Sequence, residues 1–272
     1  MPLLIRTWNL FHGNAQPPER HAYLEEMVQL VTADAPDIVC LQELPVWSLG
    51  HLGAWSGMQA LTAIAQGPRL GPVPIGAELG RMITLVNNGL FRSSVSGQAN
   101  AILLRDDAAV LDHDTLVLNP RSYRKAQGEW LHLGLIARLA WGKERRVAQV
   151  LRARLADGNV VTVANLHTSS YPADQRLADA ELLRAAVFAD GLANPTDVCV
   201  LAGDFNVPAD RSATQAELTE PEWGFSAPIG TGIDQLLLRG ARLARLERWP
   251  RERRTVDGRV LSDHTPVEAR AT

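Results

Sequence analysis

The chain has 272 residues, enough for one large domain or two small ones, and its 46% hydrophobic and 21% charged residues are ordinary for a soluble enzyme. Its formal net charge of -3 excludes a polycation that coats nucleic acid over its whole surface, but it leaves room for a locally basic cleft. The sequence has neither a secretory signal pattern nor a run near the roughly 20 apolar residues that span a bilayer, so we expect a cytoplasmic protein.

The first part of the chain predicts a strand, a helix and a second strand. Residues 3–8 are typical of a short buried strand, and residues 19–33 place apolar side chains at helical spacing. Pro36 ends this helix, because the residue before a proline avoids the α region. The continuous apolar run over residues 37–42 is typical of a buried parallel strand.

The same arrangement returns later in the chain. Residues 160–166 predict a strand, residues 174–191 an amphipathic helix that ends before Pro195, and residues 198–202 another apolar strand. The polar positions that match between the two units are Asn9 and Glu43 in the first and Asn165 and Asp204 in the second. This weak internal repeat predicts two similar sheet halves whose polar strand ends meet at a common edge.

The region between the two units is less regular. Residues 67–76 contain three prolines and three glycines and predict a loop. The other elements predicted outside the two units are helices over 52–65 and 77–91 and strands over 101–104, 135–139, 147–155, 233–238 and 265–268. The turn sequence at residues 156–159 joins two of these strands as a hairpin, so the sheets are expected to be mixed.

The chain shows no linker, and we expect one domain over residues 1–272. Cys40 and Cys199 both lie inside apolar strand runs. They are therefore expected to be buried thiols without a structural disulfide.

Oxygen-bearing side chains at the strand ends predict a metal site. Glu43 ends a buried strand, where a carboxylate is costly unless it meets a cation or hydrogen-bond donors. With Asn9 and Asp263 it offers oxygen ligands, without thiolates or a dense histidine cluster. This set favours Mg²⁺ over zinc, with Mn²⁺ able to replace it.

The run that follows the strand at 198–202 carries two polar side chains around one aromatic residue. Asp204 and Asn206 share one side of an extended chain, while Phe205 points the other way into the core. Asp204 would orient or activate an attacking water, and Asn206 would donate a hydrogen bond to a phosphate oxygen. The alternative is an ordinary Asp/Asn turn.

Two histidines also lie near predicted strand ends or beside acids. His264 follows Asp263 directly, and an imidazole beside anionic groups is protonated more easily. It would stabilise developing phosphate charge or act as a base, with Asp234 fixing its tautomer. His167 would bind phosphate or protonate a leaving oxygen; the alternative is a surface histidine.

Arginines supply candidate phosphate contacts at two places. Arg145 and Arg146 precede a strand, and a guanidinium can bridge phosphate oxygens, although a solvated surface pair explains them equally well. Residues 239–259 carry eight arginines against three acids and would form a basic rim for a polyanion, or a solvated strand and loop.

Taken together, these motifs resemble the endonuclease/exonuclease/phosphatase superfamily. The motifs are Trp8-Asn9, Leu41-Gln42-Glu43, Asn165-Leu166-His167, Gly203-Asp204-Phe205-Asn206, Ile233-Asp234 and Ser262-Asp263-His264. The resemblance implies a four-layer α/β sandwich, with two mixed β-sheets packed face to face and helices on both outer sides. It also implies Mg²⁺-dependent hydrolysis of a phosphate ester.

The resemblance also suggests a role for each site residue. Glu43 would be the principal metal ligand, with Asn9 and Asp263 near the metal. Asp204 and Asn206 would position water and phosphate. The residues that would bracket the scissile phosphate are His167 and the pair of His264 with Asp234, and either Arg145 or Arg146 would be the middle arginine.

Two departures from the patterns of known family members bear on the branch to which the chain would belong. Members that act on abasic DNA carry a tyrosine and an asparagine in the middle motif, where this chain has Asn165-Leu166-His167. This favours a deoxyribonuclease-I-like or sphingomyelinase-like branch, although secreted nucleases of that branch use disulfides.

We therefore expect a phosphodiesterase, endonuclease-like, that attacks its substrate with water. A phosphomonoesterase acting on a sugar, lipid or nucleotide phosphate is the alternative, and a catalytically silent binding module is a third reading. The expected partner is a phosphate-ester substrate, with nucleic acid among the candidates, and no obligate protein partner is evident.

Overall fold

A computed structural model describes residues 2–86 and 95–272 of the chain. Its strands, in chain order, are β1 (Leu3–Asn9), β2 (Ala15–Gln16), β3 (Ile38–Leu44), β4 (Gln59–Gln66), β5 (Arg69–Leu70), β6 (Val73–Pro74), β7 (Gln98–Leu104), β8 (Ala109–Val117), β9 (Val147–Arg154), β10 (Val160–His167), β11 (Val198–Asp204), β12 (Asp234–Arg239), β13 (Leu243–Arg248), β14 (Thr255–Val256), β15 (Arg259–Leu261) and β16 (Val267–Ala271). Its helices are α1 (Leu24–Thr32), α2 (Leu52–Ser56), α3 (Ala77–Val86), α4 (Arg121–Trp130), α5 (Leu135–Trp141), α6 (Arg176–Leu192) and α7 (Ala213–Leu218). Short 3-10 helices cover Phe11–Gly13, Val46–His51, Ala209–Arg211 and Arg251–Arg254.

Two large sheets carry the architecture, and both are mixed. The first has the strand order β13-β16-β1-β3-β7-β4, and the second has the order β12-β11-β10-β9-β8. One neighbouring pair in each sheet is parallel, β1 with β3 and β10 with β11, and the other pairs are antiparallel. Each parallel pair is joined by a helix, α1 in the first case and α6 in the second, as the internal repeat predicted.

The two sheets pack face to face around an apolar interior. Ile38 and Ile102 from the first sheet contact this interior, as do Leu151 and Val200 from the second. A second apolar cluster joins α1 to the outer face of the first sheet, and a third joins α6 to the outer face of the second. The layer order is therefore helix, sheet, sheet, helix, which confirms the predicted four-layer sandwich.

Two element predictions were wrong. The helix predicted over 52–65 ends at Ser56, and the chain then forms the edge strand β4. In this strand Ala63 and Ala65 are buried and Ile64 between them is exposed, an alternation that is typical of a strand and not of a helix. The strand predicted over 135–139 is the helix α5. There, Ala137 and Trp141 lie one helical turn apart and are both buried, which a strand could not achieve.

The remaining predicted helices and strands agree with the structure within about five residues, and the loop predicted over 67–76 contains the short strand pair β5 and β6. The helix predicted over 19–33 begins at Leu24, and the helix predicted over 77–91 is present at Ala77–Val86, while residues 87–91 of that prediction lie outside the described residues. Cys40 and Cys199 are buried and free, as expected. Among the described residues, no helix is long and apolar enough to cross a membrane.

Asn165 holds the two sheets together rather than lining the site. Its amide nitrogen donates to the carbonyl oxygens of Leu41, at 3.0 Å, and Ala101, at 2.8 Å, both in the opposite sheet. Its oxygen accepts from Gln42 Nε2 at 2.7 Å. In the parallel pairs Asn9 lies opposite Gln42, Asn165 opposite Ala202 and His167 opposite Asp204, so the two pairs differ in register at their polar ends.

Gly203 is the residue at which β11 has no room for a side chain. Its φ is +146°, and a Cβ would lie 1.9 Å from the carbonyl oxygen of Leu166 on the neighbouring strand. We expect Gly203→Ala to lower the free energy of unfolding by at least about 3 kcal/mol, because backbone in a central strand must shift. Urea denaturation measures this change. In the control Gly191→Ala the Cβ meets open space, so stability should stay level or rise by up to about 1 kcal/mol; equal stabilities for the two variants would contradict the prediction.

Candidate active site

The carboxyl ends of the two parallel strand pairs meet at one edge of the sandwich, and Asp204 lies at their centre. Its Oδ2 accepts from Asn9 Nδ2 at 3.0 Å, which joins the two sheets. The same oxygen lies 3.6 Å from His167 Nε2 and 3.9 Å from His264 Nε2. Its Oδ1 accepts from the backbone N–H of Asn206 at 3.0 Å, so both carboxylate oxygens are held in place.

Glu43 closes one side of this edge. Its backbone takes a left-handed conformation with φ of 54°, which breaks the regular strand and re-aims the side chain. Its Oε1 lies 3.2 Å from Asn9 Nδ2 and 3.6 Å from His167 Nε2, and its Oε2 lies 3.3 Å from His12 Nε2. The carboxylate therefore sits among two imidazoles and one amide.

His264 and Asp234 close the opposite side. His264 Nδ1 lies 2.8 Å from Asp234 Oδ1, which leaves Nε2 directed toward Asp204. Ser262 fixes the loop, because its hydroxyl donates to the carbonyl of Asn9 at 2.7 Å and accepts from the N–H of His264 at 3.0 Å. Trp8 Nε1 donates to the carbonyl of His264 at 3.1 Å.

Arg146 and Gln98 contact the ring nitrogens of His167 and hold the ring in place. Arg146 Nη1 lies 3.0 Å and 2.9 Å from the two ring nitrogens, and Gln98 Nε2 lies 3.3 Å from Nδ1. Burial, and then the positive charges of Arg146 and the neighbouring histidines, keep the pKa of His167 well below its usual range. The ring is therefore neutral at pH 7 and offers one N–H donor.

The other two central groups have raised pKa values. Burial raises the pKa of Asp204 to about 6; His264 and the bond from Asn9 counteract it, and Asp234 adds to it. Burial disfavours the protonated form of His264, but the hydrogen bond to Asp234 and the charges of nearby aspartates outweigh it and raise its pKa to about 10. An imidazolium thus faces Asp204 at neutral pH.

The predicted site residues fall into a central and a peripheral group. The structure brings seven together at this edge: Asn9, Glu43, Arg146, His167, Asp204, Asp234 and His264. Asn206 is adjacent, and its amide nitrogen donates to the carbonyl of Thr168 at 3.0 Å. Asp263 has a side chain that is 38% exposed and lies 3.8 Å from His264 Nε2, and Arg145 is exposed to solvent.

Two residues of the site were missed by the sequence analysis. His12 is 3% exposed, and its Nε2 lies 3.3 Å from Glu43 Oε2. The signal was its position three residues after Asn9, in the turn that leaves a strand end. Gln98 is 5% exposed and lies beside His167, and no local motif marks it because β7 brings it there from the far side of β3.

Two arginines of the arginine-rich stretch hold backbone carbonyls next to the site, and Arg242, Arg245, Arg251 and Arg253 are exposed to solvent. Arg248 Nη2 donates to the carbonyl of Asp234 at 2.7 Å. Arg254 Nη1 donates to the carbonyls of Leu261, at 3.0 Å, and Ser262, at 2.9 Å. These two guanidinium groups therefore position both halves of the Asp234–His264 pair.

The donor set fits a divalent cation. Two groups of side chains offer ligand atoms within 4.8 Å of one another: Glu43, His167 and Asp204, and Asp204, Asp234 and His264. Several carboxylates converge in a buried place, and burial raises the pKa of Asp204, so negative charge is costly there until a cation compensates it. Asn9 faces the acids with its amide nitrogen, and its Oδ1 accepts from Phe11 N–H at 2.9 Å, so ligation through oxygen requires the amide to rotate.

The comparison with protein families agrees with the fold and the site. The profile of the Endonuclease/Exonuclease/phosphatase family matches residues 7–264. The chain belongs to this family, whose members are generally hydrolases of phosphate esters that use divalent metals. A comparison with curated proteins finds no significant match.

Solved structures share the fold at low sequence identity. An endonuclease/exonuclease/phosphatase from Bacteroides vulgatus has 16% identity and a TM-score of 0.69, with 100% of this chain and 99% of that chain covered. A functionally unknown conserved protein from Enterococcus faecalis has 16% identity and a TM-score of 0.66, with 99% of each chain covered. Truncated TDP2 from Caenorhabditis elegans has 16% identity and a TM-score of 0.62, with 100% and 97% covered. At these identities the likeness establishes the fold alone.

Proposed function

We propose that the chain is a Mg²⁺-dependent phosphodiesterase, endonuclease-like, of the deoxyribonuclease-I-like branch of its family. The observation that carries the proposal is the position of Asp204 Oδ2, bonded to Asn9 at 3.0 Å and flanked by His167 at 3.6 Å and His264 at 3.9 Å. The carboxylate of Asp204 supplies a base, and the two imidazoles, one neutral and one protonated, each donate a hydrogen bond to the same phosphate.

Asp204 is the proposed base for the attacking water. Its pKa of about 6 lies close to neutral pH, which suits a group that must accept a proton and still be mostly ionised. Water attacks the phosphorus in line, its proton passes to this carboxylate, and the bond from phosphorus to the leaving oxygen breaks. The N–H of Asn206 fixes Oδ1 of the carboxylate, so Oδ2 faces the water.

The two histidines are the proposed donors to the phosphate. His264, held protonated by Asp234, stabilises negative charge that develops on the phosphate oxygens. His167 stays neutral and donates one hydrogen bond, and Arg146 holds its ring in place through contacts of 3.0 Å and 2.9 Å with the two ring nitrogens. Direct contacts of Arg145 and Arg146 with phosphate, and of Asn206 with a phosphate oxygen, stay predictions.

Glu43 is the proposed principal holder of the cation, with Asn9 and Asp263 near it. These residues, and the acids around Asp204, supply hard oxygen donors, which favour Mg²⁺, with Mn²⁺ able to replace it. When bound, the cation supplies neutralisation of charge on the phosphate and on the leaving oxygen.

We expect EDTA to abolish hydrolysis of bis-(p-nitrophenyl) phosphate, and excess Mg²⁺ or Mn²⁺ to restore it, because the buried acids need a cation to face an anionic substrate. Release of nitrophenolate measures the rate. EDTA already saturated with Mg²⁺ is the matched control and should leave the rate unchanged. Full turnover in free EDTA would refute the metal dependence.

The substrate type is tested by comparing the diester with p-nitrophenyl phosphate under the same conditions. A higher kcat/KM for the diester supports the phosphodiesterase, and a higher value for the monoester supports the phosphomonoesterase. Nicking of supercoiled plasmid then tests the nuclease activity, and an intact plasmid at high enzyme concentration counts against it.

We also propose that residues 1–272 act as one domain, since residues from both sheets share one apolar interior. A cytoplasmic location stays a proposal. It is supported by the two buried free cysteines, which match a reducing compartment.

A further inference from the structure

An apolar patch stands out on the α4–α5 helix pair. Its members are the four most exposed large hydrophobic side chains in the described part of the chain: Trp130 at 72%, Leu135 at 73%, Ile136 at 74% and Leu139 at 67%. They lie within ten consecutive residues. Exposed apolar side chains that cluster in this way mark an interaction surface.

The packing of the opposite face of α5 fixes this patch on the protein surface. The helix α5 packs Ala137 and Trp141 against α6, which turns Leu135, Ile136 and Leu139 the other way. Two hydrogen bonds fasten the helix pair to α6: Trp141 Nε1 donates to Glu181 Oε1 at 2.5 Å, and the Tyr123 hydroxyl donates to the carbonyl of Ala180 at 2.8 Å. The patch is therefore part of the packed fold.

Positive charge surrounds the patch. Residues 121–146 carry seven Lys or Arg and two Glu side chains, a formal net charge of +5, so the other residues together carry -8. Four of these cations are exposed beside the helices: Arg121, Lys125, Lys143 and Arg145. These exposed cations thus lie in the same segment as the apolar patch.

We propose that α4 and α5 dock the protein onto an anionic lipid surface. Leucine, isoleucine and tryptophan enter the boundary between headgroups and acyl chains, while lysine and arginine bind anionic headgroups. A second copy of the chain is disfavoured, because the exposed cations Arg121, Lys125, Lys143 and Arg145 of two copies would repel each other. Nucleic acid would satisfy the cations but would leave the aliphatic Leu135, Ile136 and Leu139 in water.

The patch is also connected to the catalytic edge. Glu181, which accepts the bond from Trp141, accepts from the N–H and hydroxyl of Ser169 at 2.7 Å each. Ser169 lies two residues after His167, and the segment that follows α5 leads directly into Arg146. Docking therefore places a lipid surface against helices that are linked through Glu181 to the segment after His167; resting on the proposed function, a phosphate ester in a lipid headgroup is the expected substrate.

Co-sedimentation of the full chain with vesicles tests the docking. Phosphatidylcholine vesicles with phosphatidylserine should bind the protein, and vesicles of phosphatidylcholine alone should bind it much less. Replacing all four patch residues by serine (W130S, L135S, I136S and L139S) should lower partitioning by at least about tenfold, because the inserted apolar surface is lost. The matched control L70S/V73S/M82S removes side chains of 56%, 57% and 65% exposure elsewhere and should bind like the wild type.

Three results would overturn the proposal: no sedimentation with the anionic vesicles, equal binding by the patch variant, or loss of oligonucleotide binding in the patch variant when the wild type ignores vesicles. Thermal unfolding checks that each variant is folded, and the single substitutions Leu135→Ser and Ile136→Ser replace the fourfold variant if it is not. Sedimentation requires no turnover, so failure of the proposed catalysis leaves this result readable.

Discussion

Glu43→Gln is expected to lower kcat for a phosphodiester by about 10²-fold or more, equivalent to about 2.7 kcal/mol of transition-state stabilisation. The substitution keeps the shape of the side chain and removes the negative charge, beside Asn9, His12 and His167, that we propose holds the cation. Steady-state kinetics over a range of Mg²⁺ concentrations measure the effect, and the Mg²⁺ concentration for half-maximal rate should rise as well.

Glu25→Gln is the matched control, because Glu25 is an exposed acid on α1. It should leave both kcat and the Mg²⁺ response unchanged. If Glu43→Gln kept wild-type kinetics at every Mg²⁺ concentration, Glu43 would not be the principal metal ligand.

His264→Gln is expected to lower kcat by a similar factor, about 10²-fold, because the imidazolium that faces Asp204 disappears. The pair with Asp234 makes the effect non-additive: once His264 is replaced, Asp234→Asn should cost little more. Kinetics of the two single variants and the double variant measure this coupling. Full additivity of the two losses would contradict a working pair.

The pH dependence of kcat gives a second measurement on the same pair. The pKa of His264 is raised to about 10, so the imidazolium is present below that pH and is lost as the pH rises through it. The alkaline limb of the wild-type profile should therefore lie near pH 10. In Asp234→Asn it should move down toward 6.5, the ordinary value, because a hydrogen bond and a negative charge are removed.

His21→Gln is the control for both experiments. His21 has a side chain that is 57% exposed, and it pairs with Glu26 in the first turn of α1. Its replacement should leave kcat and the alkaline limb unchanged. An alkaline limb that stays in place in Asp234→Asn would show that another group titrates there.

Much of the sandwich was predictable because its central strands are buried on both faces. The predicted strands 37–42 and 198–202 are continuously apolar over residues 38–41 and 198–202, which is typical of parallel strands buried on both faces. Edge elements lack that signal. The strand β4 was predicted as helix, and β8 was not predicted, because an exposed strand such as β8 presents polar residues on both faces.

A short apolar run led to the wrong prediction of a strand at the helix α5. Residues 135–139 have the length and composition of a buried strand, and periodicity cannot separate the two states over five residues. The packing of Ala137 and Trp141 against α6 decides for the helix. The apolar side chains that suggested burial are instead the most exposed of their kind in the described chain.

The residues of the candidate site also divide into those that the sequence predicted and those that it did not. Acids and histidines that end strands were found from the motifs, because the strand that carries each one is itself readable. His12 and Gln98 were missed, since the first lies in a left-handed turn and the second reaches His167 only through sheet order. Asn165 carried a motif signal but joins the sheets through Gln42.

The amino-acid order alone determined the layered architecture, the family and most of the residues at the catalytic edge, because buried strands and their polar ends are local patterns. Only the tertiary structure decided which face of each strand end meets Asp204, which histidines share it, and which apolar helix stays in water. These depend on register and packing between segments more than a hundred residues apart, such as Gln42 with Asn165, and no local pattern encodes such distances.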